Sequence, residues 1–129
     1  MKALLAVAGG GALGAVARYL VYIAAGRLLG ADFPYGTLIV NVAGSLVMGA
    51  LVEIMALAWS TSNEMRLFLI VGFLGAFTTF STFSLDFALL YERGRFLLCA
   101  VYVMASVVCS VGALFLGMWI FRRLLAPVL

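Results

Sequence analysis

Apolar residues run along this chain in four long blocks, and polar groups break in at only a few places. The thirteen charged side chains mark most of those places: Lys2, Arg18, Arg27, Asp32, Glu53, Glu64, Arg66, Asp86, Glu92, Arg93, Arg95, Arg122 and Arg123. The blocks between them are long enough to cross a bilayer, which takes roughly 20 helical residues. Helices are expected at about 3–28, 36–59, 65–91 and 96–122. The connections are short: Leu29–Tyr35 with Pro34 near its end, Ser60–Glu64, and Glu92–Arg95. Backbone groups in lipid must be satisfied within their own segment, so spans of this length are read as helices. The expected fold is an all-α integral membrane domain over residues 1–129.

Composition agrees with that pattern. Hydrophobic residues make up 67% of the 129 residues and charged residues 10%, with a mean hydropathy of +1.25. Soluble domains carry about 25% charged residues, and a core of this size cannot enclose the apolar excess. Lipid is therefore the expected main solvent. The net charge of +3 does not point to nucleic acid. With no histidine in the chain, His-based catalysis and His–metal sites are excluded. Cys99 and Cys109 lie ten apart on different faces of the fourth helix and form neither a disulfide framework nor a metal knuckle. No nucleophile–base pair is visible, so an enzyme is not expected. Lys2 followed by an apolar run imitates a signal peptide, but the run continues past Arg18 to Ala25 without an obvious cleavage site.

The stretch Gly9-Gly10-Gly11-Ala12-Leu13-Gly14 matches G-x-G-x-x-G, with Asp32 at about the distance of a ribose-binding acid. A dinucleotide fold would need polar helices covering a parallel sheet, and the chain has none to offer. The membrane reading uses the same glycines for close helix contact, as Gly10-x-x-x-Gly14. Ser45-x-x-x-Gly49 and Ala113-x-x-x-Gly117 repeat the device, which implies a tight bundle and an oligomer. Four spans put Lys2, Arg66, Arg122 and Arg123 on one side and Arg27, Arg93 and Arg95 on the other, with Arg18 towards the second side. Orientation follows the Lys/Arg bias. A chain without bias can insert both ways, which permits an antiparallel dimer; the alternative is that a partner sets the topology.

Polar groups inside a span mark function by default. Arg18 cannot be deprotonated, so it needs a carbonyl, an acid or a water-filled vestibule, or it snorkels to the interface. Glu53 and Asp86 sit near span ends, able to reach the interface or pair with an arginine. Asn41 lies a turn and a half into the second helix, where its amide either holds two helices together or offers N–H donors to a passing anion. In the third span, residues 77–84 carry five hydroxyls and three phenylalanines: Phe77-Thr78-Thr79-Phe80-Ser81-Thr82-Phe83-Ser84. Gly72 and Gly75 just before them weaken a helix. A break at membrane depth is tolerated where the freed backbone is buried or lines a cavity, and broken helices present carbonyls to cations. Tyr102, Ser106 and Ser110, each four residues apart, put hydroxyls on one face about 6 Å apart. Together with the third span and Asn41 they make a candidate track of OH and NH donors, and phenyl edges are electropositive. This chemistry favours an anion without choosing between fluoride and chloride.

These motifs resemble the Fluc fluoride channels, also called the CrcB family. The resemblance is carried by Gly10-Gly11-Ala12-Leu13-Gly14-Ala15 with Arg18-Tyr19, by Pro34-x-Gly36-Thr37-Leu38-x-Val40-Asn41-x-x-Gly44-Ser45, and by Thr78-Thr79-Phe80-Ser81-Thr82-Phe83-Ser84. It implies an antiparallel dual-topology homodimer in the bacterial inner membrane, with a break in the third helix and two pores that leak fluoride passively out of the cell. Phe80 and Phe83 would be the pore-lining aromatic pair and Asn41 the pore amide; Ser81, Thr82, Tyr102, Ser106 and Ser110 would supply hydroxyls. A structural sodium ion would sit at the dimer centre, held by the backbone carbonyls of Gly75 and Thr78 at the break in the third helix. The chain departs from the family pattern at Asp86, where glutamate is expected more often, so the carboxylate is kept on a shorter stem. The rival of similar size, a dual-topology multidrug exporter, needs a buried carboxylate in the first helix, and the ionisable group inside this helix is Arg18, with no Asp or Glu. A non-conducting helper subunit is a third possibility.

Overall fold

The first helix, α1 (Lys2–Leu29), stops at Gly30, whose φ of +82° favours a residue without a Cβ. The chain is described here by a computed structural model covering residues 1–126; the last three residues of the expected domain lie outside the described residues. After Pro34 comes α2 (Tyr35–Leu57). Ser62 then caps the short α3 (Asn63–Arg66) by accepting from the Met65 N–H at 3.2 Å, with Glu64 favourably placed in the first turn. The helix widens into π-type turns over Leu67–Leu74 and closes with α4 (Gly75–Phe77). Two extended residues, Thr78 and Thr79, lead into α5 (Phe80–Glu92). A turn through Gly94, at φ +70°, connects to α6 (Phe96–Leu125).

All regular elements among the described residues are helical. Among the described residues, four segments are long and apolar enough to cross a membrane: Lys2–Leu29, Tyr35–Leu57, Asn63–Glu92 and Phe96–Leu125. Large side chains such as Leu4, Leu28, Leu97 and Met104 stand exposed around the bundle. Such a surface is stable against hydrocarbon and not against water.

The spans pack as two parallel pairs, α1 against the π-type stretch and α2 against α6. Glycine sets both contacts. A Cβ on Gly10 or Gly14 would run into the backbone of Phe68 or Phe73. A Cβ on Gly49 would overlap the Leu114 carbonyl, and one on Gly117 the Leu46 carbonyl. The small-residue faces read from the sequence are thus used within one chain, where lipid offers no hydrophobic drive and close backbone packing supplies the attraction. At one end of the α2–α6 pair the Arg122 guanidinium donates to the buried Glu53 carboxylate. Cys99 is buried and Cys109 exposed, and both thiols are free.

Candidate functional site

The site is organised around two residues that leave helical geometry. Thr78 (φ −83°, ψ 160°) and Thr79 (φ −157°, ψ 122°) are extended; the Thr78 N–H still donates to the Leu74 carbonyl at 3.0 Å, but the N–H and C=O of Thr79 need partners from elsewhere. Asn41 on α2 supplies them: its Nδ2 donates to the Thr79 carbonyl at 3.0 Å, and the Thr79 N–H donates to its Oδ1 at 2.8 Å. Of the two roles open to the Asn41 amide, holding helices together is therefore occupied, and one of its two Nδ2 hydrogens remains for other use. Thr79 Oγ1 caps α5 by accepting from the Thr82 N–H at 3.2 Å and donates to Thr82 Oγ1 at 3.1 Å. The Thr78 hydroxyl turns back to the Leu74 carbonyl at 2.9 Å. Two carbonyls thereby lose the N–H groups that a continuous helix would give them. Thr79 N–H serves Asn41 and not Gly75, and Thr82 N–H serves Thr79 Oγ1 and not Thr78.

A cavity of about 400 Å³ opens beside this point. Asn41, Thr78, Phe80, Phe83, Ser106 and Ser110 all line it. The Phe80 and Phe83 ring centroids are 5.4 Å apart at 40°. Ser106 and Ser110 have buried hydroxyl oxygens without a hydrogen-bond partner. Helical serines commonly turn to the carbonyl one turn earlier; these two do not. An unpaired buried hydroxyl costs about 1–3 kcal/mol, so both groups are available to donate to a guest in the cavity. Gly44 keeps the wall thin, since a Cβ there would overlap the Thr78 methyl.

A second cavity, of about 300 Å³, lies near the α1–α2 connection and is lined by Tyr22, Phe33, Thr37, Thr82 and Asp86 among others. Asp86 Oδ2 accepts from the Thr37 hydroxyl at 2.6 Å and from the Tyr102 hydroxyl at 2.9 Å. Because Thr37 spends its proton on Asp86, the Tyr22 hydroxyl at 3.1 Å is the donor to Thr37. Of the two acids read as near span ends, Glu53 does pair with an arginine, whereas Asp86 instead collects hydroxyls from α2 and α6. Its short stem is long enough for that. Tyr102 is fully buried, and its ring lies 5.1 Å from that of Phe83, so it stands between the two cavities.

The candidates thus fall into groups. Asn41, Phe80, Phe83, Ser106 and Ser110 meet at the larger cavity and Thr82 at the smaller; Tyr102 lines neither, but touches Phe83 of the first and Asp86 of the second. Ser81 is exposed, its hydroxyl 3.3 Å from Thr79 Oγ1. Phe80 is 78% exposed in the single chain. Thr79, Thr37 and Tyr22 belong to the site as well, beyond the candidates expected from the sequence. A Thr just ahead of a helical run is a legible N-cap signal, but Thr37 and Asp86 are 49 residues apart and no local pattern joins them.

Comparison with known proteins identifies the family. The family described as CrcB-like protein, Camphor Resistance (CrcB), matches residues 5–118. A fluoride-specific ion channel FluC of Chelativorans sp. (strain BNC1) is 56% identical over 125 residues, covering 97% of this chain and 100% of that protein. One from Nitrobacter hamburgensis is 54% identical over 121 residues, covering 94% and 96%. One from Rhodospirillum centenum is 53% identical over 126 residues, covering 98% and 100%.

Proposed function

From the premise that this chain belongs to the CrcB-like family, we propose that it is a fluoride-selective channel, not an enzyme, which passes the ion passively and lowers cytoplasmic fluoride. The observation that carries the reading is the pair of buried, unpartnered hydroxyls of Ser106 and Ser110 in a cavity walled by Phe80, Phe83 and Asn41. Fluoride is small and strongly hydrated, so stripping its water in an apolar bundle is prohibitive unless donors take over. The two hydroxyls and the free Nδ2 hydrogen of Asn41 are donors, and phenyl edges add weak electropositive contact without trapping the ion. Fluoride would then pass Thr82 and Tyr102 towards the cavity at Asp86, whose charge is already screened by two hydroxyl donors.

Assembly belongs to the same proposal. The chain would act as an antiparallel, dual-topology homodimer in the bacterial inner membrane, with two pores. The large exposure of Phe80 beside a functional cavity supports a second copy covering it, and the balanced Lys/Arg distribution supports insertion both ways. A structural sodium ion would sit where Thr78 and Thr79 interrupt the third helix. The residues fit it: Gly75 and Thr78 have carbonyls released from their helical donors, the kind of neutral oxygen ligand that coordinates Na⁺ in unwound segments. The ion would supply fixed positive charge between the pores.

Purified protein in liposomes loaded with potassium fluoride tests the reading. Rapid fluoride efflux when potassium is allowed to follow, with no chloride efflux under the same conditions, is the expected result. Liposomes that retain fluoride would count against the channel, and equal chloride efflux against its selectivity.

A further inference from the structure

An aromatic series continues beyond the Phe80–Phe83 pair. Phe83 and Tyr102 stand 5.1 Å apart, and the next ring is Phe33, 5.5 Å from Tyr102 and T-shaped at 86°. Phe33 is no part of a transmembrane helix. It comes from the connection at residues 30–34 between the first two spans, yet its position is fixed.

Three local features hold it. Gly30 turns the chain out of α1 at positive φ. Pro34, at φ −78° and ψ 62°, centres an inverse γ-turn in which the Tyr35 N–H donates to the Phe33 carbonyl at 2.8 Å. The ring then packs against the buried cluster of Leu90, Cys99 and Tyr102 and against Tyr35 at 5.0 Å. Proline restricts the residue before it to extended conformations, so the ring is presented with little freedom left to lose.

We propose that Phe33 is a positioning residue of the conduction path: its ring braces Tyr102 so that the Tyr102 hydroxyl stays on Asp86 and the hydroxyl track remains continuous to the smaller cavity. This rests on the fluoride-channel reading. Tyr102 can rotate about two side-chain torsions, and hydrogen bonding at its tip alone does not fix the ring plane. The edge contact from Phe33 on one side and the Phe83 ring on the other do. Without Phe33 the ring is free to tilt into the space by the α1–α2 connection, and its hydroxyl leaves the carboxylate.

The test uses fluoride efflux from liposomes for Phe33→Leu, Phe33→Tyr, Tyr102→Phe and the double variant Phe33→Leu/Tyr102→Phe. Each preparation is checked for assembly by size exclusion. Phe33→Leu keeps bulk but not the ring and should lower flux about tenfold, the scale of a lost aromatic pair. Phe33→Tyr keeps the ring and should restore most of it. In the Tyr102→Phe background, Phe33→Leu should add nothing, because the two residues act as one unit. Should Phe33→Leu fail to assemble, Phe33→Met takes its place. Parent-like flux in Phe33→Leu, equal loss in Phe33→Tyr, or losses that multiply in the double variant would each overturn the proposal while leaving the channel reading intact. An inactive parent would overturn both.

Discussion

Asn41 and Thr79 are hydrogen-bonded in both directions, side-chain amide to main chain, at 3.0 and 2.8 Å. One side chain thus satisfies the N–H and the C=O of a residue that has left the helix. At membrane depth no water is at hand for this task, so extended backbone survives only where protein provides the partners. The same exchange releases the Gly75 carbonyl, which ties the α2 amide to the chemistry of the third span.

Replacing Asn41 by Asp keeps the Oδ1 acceptor for Thr79 N–H but sets an oxygen against the Thr79 carbonyl. A buried hydrogen bond turned into an unsatisfied acceptor costs about 1–3 kcal/mol. Asn41→Asp is expected to assemble, to unfold at lower temperature than the parent in detergent, and to lose most fluoride flux. Thermal scans followed by size exclusion, beside efflux from liposomes, check both parts.

The glycine contacts between α2 and α6 make a separate prediction about stability. A Cβ at Gly49 would meet the Leu114 backbone, whereas one at Gly112 meets nothing within 4 Å. Overpacking of this kind costs about 1–3 kcal/mol or more. Gly49→Ala should therefore lower the thermal midpoint clearly, and Gly112→Ala should leave it unchanged or slightly raised. Equal midpoints for the two variants would contradict the packing described here.

The four spans were legible because a bilayer demands long apolar segments, and thirteen charges in 129 residues leave few places to end them. The glycine faces were legible through their four-residue spacing, although a spacing cannot say whether Gly10 and Gly14 meet their own chain or another. The grouping of Asn41 with Ser106 and Ser110 followed from polarity inside apolar helices. The Tyr22–Thr37–Asp86–Tyr102 network was not legible: its members come from four helices, and although Tyr102 and Asp86 stand out singly, no local pattern joins them to each other or to Tyr22 and Thr37. The π-type stretch was equally hidden, since Leu67–Leu74 reads as any apolar helix.

Lys and Arg are nearly balanced across the expected membrane sides, so reporter fusions at the C-terminus should give signal from both faces. Two added lysines in the 60–64 connection should fix one orientation and lower flux, because mixed orientations build the proposed dimer. Co-expression of oppositely biased variants should restore it. A parent chain found entirely in one orientation would contradict dual topology.

The sodium proposal is tested ionically, since backbone carbonyls cannot be removed by changing side chains. Exchanging sodium for a bulky organic cation on both sides of the liposome should reduce fluoride flux, and returning sodium should recover it. Unchanged flux after exhaustive exchange would leave Gly75 and Thr78 without an ion to hold.

The central claim is that phenyl edges and hydroxyl donors beside Asn41 carry the anion. The most direct measurement is fluoride efflux from liposomes containing Phe80→Ile or Phe83→Ile, with size exclusion run on each preparation. Isoleucine keeps apolar bulk and membrane insertion but removes the ring quadrupole. The account predicts that both variants assemble as the parent does and lose fluoride flux strongly, by about tenfold or more on the scale of a lost electrostatic contact in a dry site. Efflux at the parent's rate from both assembled variants would contradict it.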